Sequence, residues 1–282
     1  MESDKRGLGV LYLCATPIGN LKDVTLRVLD TLREVDLVAA EDTRRTRRLF
    51  TRHGIHSPMI SYREENREKA GARIVERIEQ GESVALVSDA GVPGISDPGY
   101  HLVRMCLERE IEVQALPGAN AALTALVVSG LETRRFAFEG FLPRKKGARR
   151  KALEDVASDR RTLIFYESPA RAPDTVADIE EVLGDRKMAC ARELTKRFEQ
   201  VMRGRVSEVR ERLLESPPRG ELVLVVEGFS GEVRLSEREA LEEVRRLREQ
   251  GLSLKDAVDR LAGDIPGLSR RVLYNQVLKS QE

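Results

Sequence analysis

The residues best suited to chemistry lie in segments that directly follow predicted strands. The longest is residues 88–99, which hold three glycines, two prolines and two aspartates. Connections in α/β proteins are usually about two to six residues long, so a long loop stiffened by proline indicates a binding loop. Asp97 and Pro98 suit a helix start, as N-cap and first helical residue. Asp89 has no such structural explanation, and its carboxylate could accept hydrogen bonds from a ligand or face a positive charge.

Two shorter turns also follow predicted strands. In residues 16–20, Pro17 fixes the backbone and Gly19 permits close approach by a ligand, although a plain turn is the simpler explanation. In residues 116–120 a strand end leads into a helix start. That turn could offer backbone N–H groups to a polar ligand, or link two domains, or do both.

Basic side chains are concentrated in two segments of a chain whose net charge is only +1. Five arginines lie between residues 44 and 52, which exceeds what compensation of a helix dipole needs. Residues 143–151 hold six basic side chains and no acid, which fits either an RNA backbone contact or a solvated run. We expect phosphate contacts from Arg44, Arg45, Arg47, Arg48, Arg144, Lys145, Lys146, Arg149, Arg150 and Lys151.

Several familiar catalytic motifs are missing from the sequence. It contains no G-x-x-x-x-G-K-[ST], G-x-G-x-x-G, G-x-S-x-G or H-E-x-x-H, which argues against phosphate-loop ATPases, Rossmann dehydrogenases, α/β-hydrolases and zincins. Only three histidines are present, so a His-based triad has little material. Cys14, Cys106 and Cys190 are far apart and form no C-x-x-C pair. They predict buried, reduced thiols rather than a disulfide frame or a metal site.

The elements that must position these residues alternate between strand and helix in the first part of the chain. Apolar runs bounded by turn residues predict strands at residues 10–15, 36–40, 83–88 and 111–116. Helical patterns lie between them at residues 25–33, 67–80 and 98–108. This alternation indicates an α/β domain on a parallel sheet, where ligands bind beyond the carboxyl ends of the strands.

The alternation resumes after residue 118. Strands are predicted at residues 136–138, 162–166, 188–192 and 222–227, and helices at residues 119–129 and 175–183. We therefore expect a second α/β domain, and we expect its sheet to be parallel as well. The predicted domains are residues 1–117 and 118–229.

The tail, residues 230–282, changes character because strand signals stop. Helix-start signals at Ser236, Ser253 and Ser269 predict three short helices, the last over residues 272–278. They could form a helix-turn-helix unit or a packing extension of the fold.

Composition sets the broad class of the protein. With 282 residues, 41% apolar and 34% charged, the chain can bury two cores beneath a charged surface. The N-terminus lacks the pattern of a signal peptide, and no stretch is apolar enough to span a bilayer. These features predict a cytoplasmic protein without a membrane anchor.

Seven segments, in order between about residues 10 and 228, carry a resemblance that none of them carries alone. They read TPIGNL at 16–21, AAEDTR at 39–44, LVSDAG at 86–91, SDPGY at 96–100, FEGFLP at 138–143, FYES at 165–168 and ARELTK at 191–196. Together they closely resemble the small-subunit ribosomal RNA methyltransferases of the tetrapyrrole methylase superfamily. The tail matches more loosely.

The resemblance implies two α/β domains with S-adenosylmethionine (SAM) in the cleft between them. It also implies a homodimer and 2′-O-methylation of a cytidine in the 16S ribosomal RNA of the small subunit. This superfamily binds SAM without the Rossmann motif, which accounts for the missing G-x-G-x-x-G. By position, the resemblance places the SAM site at Pro17, Asp89, Ala90, Gly91, Val92, Gly118, Ala119, Asn120, Tyr166, Ala191 and Glu221.

Such a reaction needs positioning first and a proton acceptor second. Holding the ribose oxygen in line with an activated methyl group can supply several kcal/mol. A carboxylate that accepts the hydroxyl proton typically adds about a hundredfold or more. Glu167 and Asp42 are the first candidates and Glu41 the third, all at strand ends. Each has a structural alternative as a helix cap or a partner of arginine.

Two rival functions stay open from the sequence. A SAM-dependent methylase of a tetrapyrrole-like small molecule would need a large apolar pocket. A non-catalytic nucleic-acid-binding protein would read its target through the three-helix tail.

Overall fold

The computed structural model describes residues 7–216, 220–231, 237–261, 273, 274 and 277. These residues form two compact units. The larger unit comprises the described residues up to 156 together with 161–227, and the smaller one comprises 157–160 and the described residues from 228 onward. Among the described residues, no helix is both long and apolar enough to cross a membrane.

The larger unit begins with five parallel strands. They are β1 (Val10–Cys14), β2 (Leu37–Ala40), β3 (Met59–Ser61), β4 (Val84–Val87) and β5 (Glu112–Leu116), in the order β3-β2-β4-β1-β5. The connecting helices are α1 (Leu26–Glu34), α2 (Thr43–His53), α3 (Arg67–Glu79) and α4 (Gly99–Leu107). Every residue of β2 and β4 is buried, because helices cover both faces of the sheet. The predicted parallel sheet is confirmed, and β3 escaped prediction because it is only three residues long.

A second five-stranded sheet occupies the rest of the larger unit. Its strands are β6 (Phe136–Phe141), β7 (Thr162–Glu167), β8 (Lys187–Arg192), β9 (Gln200–Arg205) and β10 (Leu222–Val226), in the order β6-β7-β10-β8-β9. Its helices are α5 (Ala121–Ser129), α6 (Lys146–Asp155), α7 (Ala172–Leu183) and α8 (Val206–Glu215). Helix α5 packs on one face of this sheet, through Ala125 and Leu126 against Ile164 and Val225. The predicted α/β fold class is confirmed.

The expectation that the second sheet is parallel was wrong. Only β6 and β7 run parallel, whereas β10 is antiparallel to both β7 and β8, and β8 is antiparallel to β9. The sequence misled because β10 is a continuous apolar run, and such a run indicates burial on both faces rather than strand direction. The edge strand β9 escaped prediction because its residues are largely polar.

The three cysteines are buried and unpaired, as predicted. Burial raises the pKa of Cys14 to about 12 and that of Cys106 to about 11. Burial likewise raises the pKa of Cys190 to about 12. These thiols therefore stay protonated near neutral pH and pack as small apolar side chains.

The smaller unit holds helices α9 (Glu237–Glu249) and α10 (Leu254–Leu261). Their buried residues, Val244, Leu247 and Val258, pack with Leu273 and Val277. The predicted start of the second helix is confirmed, since the Ser253 hydroxyl accepts the Asp256 N–H at 3.1 Å. Ser236, Ser269 and most of the third predicted helix, 272–278, lie outside the described residues. The helix-turn-helix interpretation stays a prediction.

Candidate functional site

The carboxyl ends of β1 and β4 are tied together by backbone hydrogen bonds. Thr16 and Gly91 exchange N–H···O bonds of 2.8 and 3.0 Å, and the Thr16 hydroxyl donates to the Ser88 carbonyl at 3.1 Å. Gly91 adopts a positive φ of 85°, which favours glycine. The turn after β1 and the long loop after β4 therefore form one continuous rim at the edge of the first sheet.

Asp89 connects this rim to helix α2. Its Oδ1 accepts the Asp42 N–H at 2.9 Å, and its Oδ2 pairs with Arg45 at 3.1 Å. In return, the Asp89 N–H donates to the Glu41 carboxylate at 3.2 Å. Asp89, for which the sequence offered no structural role, is thus the link between the loop and the residues that begin α2.

The far half of the loop is held by Asp97. Its Oδ1 accepts the N–H groups of Gly94 and Gly99 at 2.7 and 2.8 Å. Burial raises the pKa of Asp97, and the two N–H bonds oppose that rise. Helix α4 begins at Gly99 with Pro98 as its N-cap, so the predicted N-cap role of Asp97 was wrong by one residue, although Asp97 does bind the first N–H of the helix.

A cavity of about 420 Å³ lies between this rim and the second sheet. Eight of the eleven residues predicted to bind SAM line it: Asp89, Ala90, Gly91, Val92, Asn120, Tyr166, Ala191 and Glu221. Asn120 contributes little of its side chain, because its Oδ1 accepts the Leu123 N–H at 3.0 Å and caps α5. As ligand contacts, these residues remain predictions.

Pro17, Gly118 and Ala119 are not among the residues that line the cavity. The last two support its wall instead. A Cβ atom on Gly118 would lie 2.7 Å from the Ala15 Cβ, so only glycine fits there. The Ala119 carbonyl lies 3.6 Å from the position that a Cβ on Gly91 would take, which places this turn directly behind the rim.

Of the three carboxylates predicted to accept a proton, Glu167 has the most hydrogen-bond and ion-pair partners. It is buried, its Oε1 accepts the Ser168 N–H at 2.7 Å, and its Oε2 accepts the Thr175 hydroxyl at 2.6 Å. Arg171 lies 3.3 Å from the same Oε2. Neighbouring strand residues point to opposite faces, so Tyr166 faces the α5 side while Glu167 faces α7. Glu167 is nevertheless among the residues that line the cavity, so its role as a proton acceptor stays a prediction, although both of its oxygens already have donors.

Asp42 is also occupied. Its carboxylate accepts the Arg44 N–H at 2.9 Å, which caps α2, and it binds the Arg44 guanidinium through both oxygens. These bonds hold the pKa of Asp42 well below its ordinary value. A carboxylate that is so weakly basic is a poor proton acceptor.

Glu41 differs from both. It is half-buried, lines the cavity, and binds the Asp89 N–H through Oε2, while Oε1 has no hydrogen-bond donor among the described residues. Burial raises the pKa of Glu41, and the nearby carboxylates of Asp89 and Asp97 add to the rise. Glu41 is the candidate that combines access to the cavity with raised basicity.

The basic residues predicted to contact RNA fall into two groups. Arg149 is 6% exposed and binds Asp178 through Nε and Nη2 at 2.7 and 2.6 Å. Arg150 is half-buried and pairs with Asp178 and Glu181. We therefore remove Arg149 from the predicted RNA contacts, because its charge is used inside the fold. Exposed side chains remain at Arg144, Lys145, Lys146 and Lys151.

Helix α2 presents an arginine surface, which we define as Arg44, Arg47, Arg48 and Arg52. These four line one open groove together with Thr51. Arg44 binds Asp42, whereas the other three make no ion pair among the described residues. Arg45 points elsewhere, towards Asp89 in the cavity. Like charges at helical spacing repel one another, so a bound anion would relieve this repulsion.

The fold that carries this site matches known methylases. A family model described as Tetrapyrrole (Corrin/Porphyrin) Methylases matches residues 10–210. The crystal structure of diphthine synthase aligns with a TM-score of 0.61 at 16% identity, covering 86% of this chain and 95% of that chain. The chain belongs to the tetrapyrrole methylase family.

Within this family, the similar curated proteins share one name. The chain is 46% identical over 272 residues to "Ribosomal RNA small subunit methyltransferase I" of Halalkalibacterium halodurans, covering 95% of this chain and 94% of that one. It is 46% identical over 221 residues to the protein of that name from Thermotoga maritima, covering 78% of this chain and 99% of that one. About a fifth of the present chain therefore has no counterpart in the shorter relative.

The buried pair of Arg149 and Asp178 predicts a stability effect. In the Asp178→Asn variant the Arg149 charge would stay buried without a full counter-charge, which typically costs about 3–5 kcal/mol. We expect denaturant unfolding to show a loss of this size. Lys151→Ala, in the same basic run but exposed, should unfold like the wild type within about 0.5 kcal/mol. If Asp178→Asn and the wild type were equally stable, Arg149 would have to be counted again among the predicted RNA contacts.

Proposed function

We propose that this protein transfers a methyl group from SAM to the 2′-oxygen of a cytidine ribose in 16S ribosomal RNA. The observation that carries the proposal is the juxtaposition of the cavity and the arginine surface on helix α2 and its N-terminus. Glu41 faces the cavity, and the arginine surface begins three residues later. The names of relatives at 43–51% identity support an RNA substrate over a tetrapyrrole.

The cavity suits SAM in size and lining. Its volume of about 420 Å³ falls within the usual range of small-molecule sites, about 300–1,000 Å³. Apolar side chains of Val92, Tyr166 and Ala191 would face the adenosine part, and the carboxylates of Asp89 and Glu41 would favour a cation. When bound, SAM supplies a methyl group already activated by its positively charged sulfur.

Glu41 would then accept the proton of the ribose hydroxyl. As the oxygen attacks the methyl carbon, the carbon–sulfur bond breaks and its electron pair stays on sulfur, so the hydroxyl proton must leave. The Oε1 atom of Glu41 has room to take it, because only Oε2 is bound to the Asp89 N–H. That single bond also fixes the direction of the carboxylate, which orients it for proton transfer.

The arginine surface would hold the RNA backbone. Phosphate contacts fix the position of a nucleic acid without reading its sequence. Arg47, Arg48 and Arg52 are exposed and lack acidic partners among the described residues, so binding a phosphate would not first require breaking an ion pair. The partner would be the small ribosomal subunit in the cytoplasm.

A homodimer, which the resemblance implies, is also part of this proposal. Helix α5 leaves Leu123 and Val127 47% and 69% exposed, one turn apart. An apolar pair of this kind on a helix otherwise packed into the fold supports contact with a second copy.

The two rival functions have less support. The solved structures of tetrapyrrole enzymes match this chain at 20% identity or less, which supports the shared fold and not the substrate. A non-catalytic protein that binds RNA through its tail would have no use for a cavity flanked by a basic carboxylate. The Thermotoga relative, which carries the same name, lacks a segment as large as that tail.

The proposal is tested by supplying methyl-labelled SAM and small subunits from cells that lack this protein. We expect label in a cytidine whose 3′ phosphodiester bond resists alkali, because a methylated 2′-oxygen cannot attack the phosphorus. Transfer to a porphyrinoid but not to subunits or naked RNA would contradict the RNA assignment.

The role of Glu41 predicts a change in rate and in its pH dependence. The wild-type kcat should rise with pH through the raised pKa of Glu41 and level off above it, since only the ionised carboxylate accepts a proton. Glu41→Gln should lower kcat by about a hundredfold or more and abolish this rise, while the Kd of SAM measured by calorimetry should rise far less than kcat falls, because the Asp89 carboxylate remains. Asp42→Asn is the control and should keep the pH-dependent rise. Retention of the rise in Glu41→Gln would exclude Glu41 as the acceptor.

The arginine surface predicts a change in the salt dependence of RNA binding. Replacing Arg47, Arg48 and Arg52 by alanine should reduce the slope of log K against log salt by about 0.7–0.9 per lost phosphate contact. A matched triple variant at Arg33, Arg104 and Arg134 removes three exposed arginines that already pair with carboxylates. That control should leave the slope unchanged, and equal slopes for both triple variants would argue against the assigned surface.

A further inference from the structure

Phe141 is an exposed aromatic residue at the mouth of the cavity. It ends strand β6, lines the cavity, and is 56% exposed. Its ring lies 5.5 Å from the ring of Tyr166, which in turn lies 4.8 Å from that of Phe138. Phe141 is thus the outermost ring of a packed aromatic row. It packs against Tyr166 on one side and is exposed to solvent on the other.

A β-bulge aims this ring at the cavity. Along the parallel pair of β6 and β7, Phe138 lies opposite Ile164, but Gly140 lies opposite Phe165 and Phe141 opposite Tyr166. Glu139 is therefore one extra residue. If the same two strands paired without a bulge, strict alternation would place Phe141 opposite Glu167, on the face that packs against α7. The bulge moves Phe141 to the face of Tyr166, and bulges in parallel pairs are rare.

The opposite side of the mouth is also apolar. Ile95, in the loop after β4, is 40% exposed and lines the same cavity. The two sides of the mouth lie close together. A Cβ atom built on Gly140 would lie only 3.3 Å from the hydroxyl oxygen of Ser96. Gly140 and Ser96 have positive φ values of 64° and 62°, an unfavourable conformation for serine. A glycine on one side and a strained serine on the other thus hold Ile95 and Phe141 at one opening.

We propose that Phe141, with Ile95, forms a subsite that stacks the base of the target nucleotide after it has swung out of its RNA helix. This inference rests on the proposed function. Glu41 lines a cavity of about 420 Å³, which SAM would largely fill and which a duplex cannot enter. A single nucleotide must therefore leave its helix to bring its ribose to Glu41. An unstacked base loses its neighbours, and an aromatic ring at the entrance replaces them.

The chain that follows Phe141 supports a nucleotide as the occupant. Arg144, Lys145 and Lys146 are exposed and come three to five residues after the ring. Stacking rings beside basic side chains are the usual combination for single-stranded nucleic acid, because the ring holds the base and the cations hold the phosphates. The adenine of SAM could instead stack on Phe141. In that case Phe141→Ala would weaken the binding of SAM rather than that of the RNA.

The test is Phe141→Ala, assayed with small subunits that lack the modification and with SAM binding measured separately by calorimetry. Loss of one stacked base should raise KM for the subunits by about 5- to 150-fold while the Kd of SAM stays within about twofold. Phe141→Tyr, which keeps a ring, should restore KM. Phe136→Ala removes a partly exposed ring from the other end of β6 and is the matched control.

Three outcomes would overturn the subsite. A Kd of SAM that rises as much as KM would assign the ring to the donor. An unchanged KM would mean that no base stacks there, and an equal loss in Phe136→Ala would indicate a general effect on the strand. In each case, methyl transfer to ribose by the wild-type protein in the same assay would still support the proposed function. Failure of the subsite and failure of the proposed function can therefore be distinguished.

A second measurement does not depend on turnover. A single-stranded RNA with a fluorescent cytidine analogue at the target position should be quenched on binding wild type and Phe141→Tyr. Phe141→Ala should bind with little quenching, because no ring covers the base. Quenching by Phe141→Ala equal to that of wild type would also overturn the subsite.

Discussion

The carboxylate of Asp89 is the interaction on which the candidate site depends. One oxygen binds the backbone at the start of α2 and the other binds Arg45, while its own N–H fixes Glu41. These bonds join the loop after β4 to the end of β2 and the first turn of α2. An apolar side chain at this position would leave the Asp42 N–H and the Arg45 guanidinium without their partner, whereas the bond from the backbone N–H to Glu41 does not depend on the side chain.

The environment of each acid decides what it can do. Glu167, Asp42 and Glu41 are chemically similar, yet the first is saturated by hydrogen bonds in the interior and the second is bound to Arg44. Of the three, Glu41 alone combines partial burial, a place in the lining of the cavity and an oxygen that no described residue binds. Basicity in this protein is thus assigned by packing and by neighbouring charges, and not by residue type.

The arrangement around the cavity divides the work between the two sheets. The first sheet contributes loops that carry charge, through Asp89, Glu41 and Arg45. The second contributes a rigid apolar wall, because Tyr166, Ala191 and Val223 share one face and are packed against α5. The bulge at Glu139 adds Phe141 to that wall. A polar edge opposite an apolar wall suits a ligand that is partly ionic and partly aromatic.

Much of this protein follows from the sequence alone. Apolar runs and helix-start signals determined the α/β class and most of the strands, because each is a local pattern of burial or backbone conformation. The eight predicted residues that line the cavity came from the family resemblance. The seven motifs determined the family. Strand direction in the second sheet did not follow, since burial on both faces produces the same run in either direction.

Three features were decided only by the tertiary structure, and each depends on contacts between residues distant in the sequence. Arg149 is not an exposed cation, because Asp178, 29 residues later, binds it in the interior. The Glu41 carboxylate is oriented by the N–H of Asp89, 48 residues later. Phe141 faces the cavity because of its register against β7. A sequence pattern specifies which side chains are available, but charge, basicity and direction are set by the partners that folding brings within bonding distance.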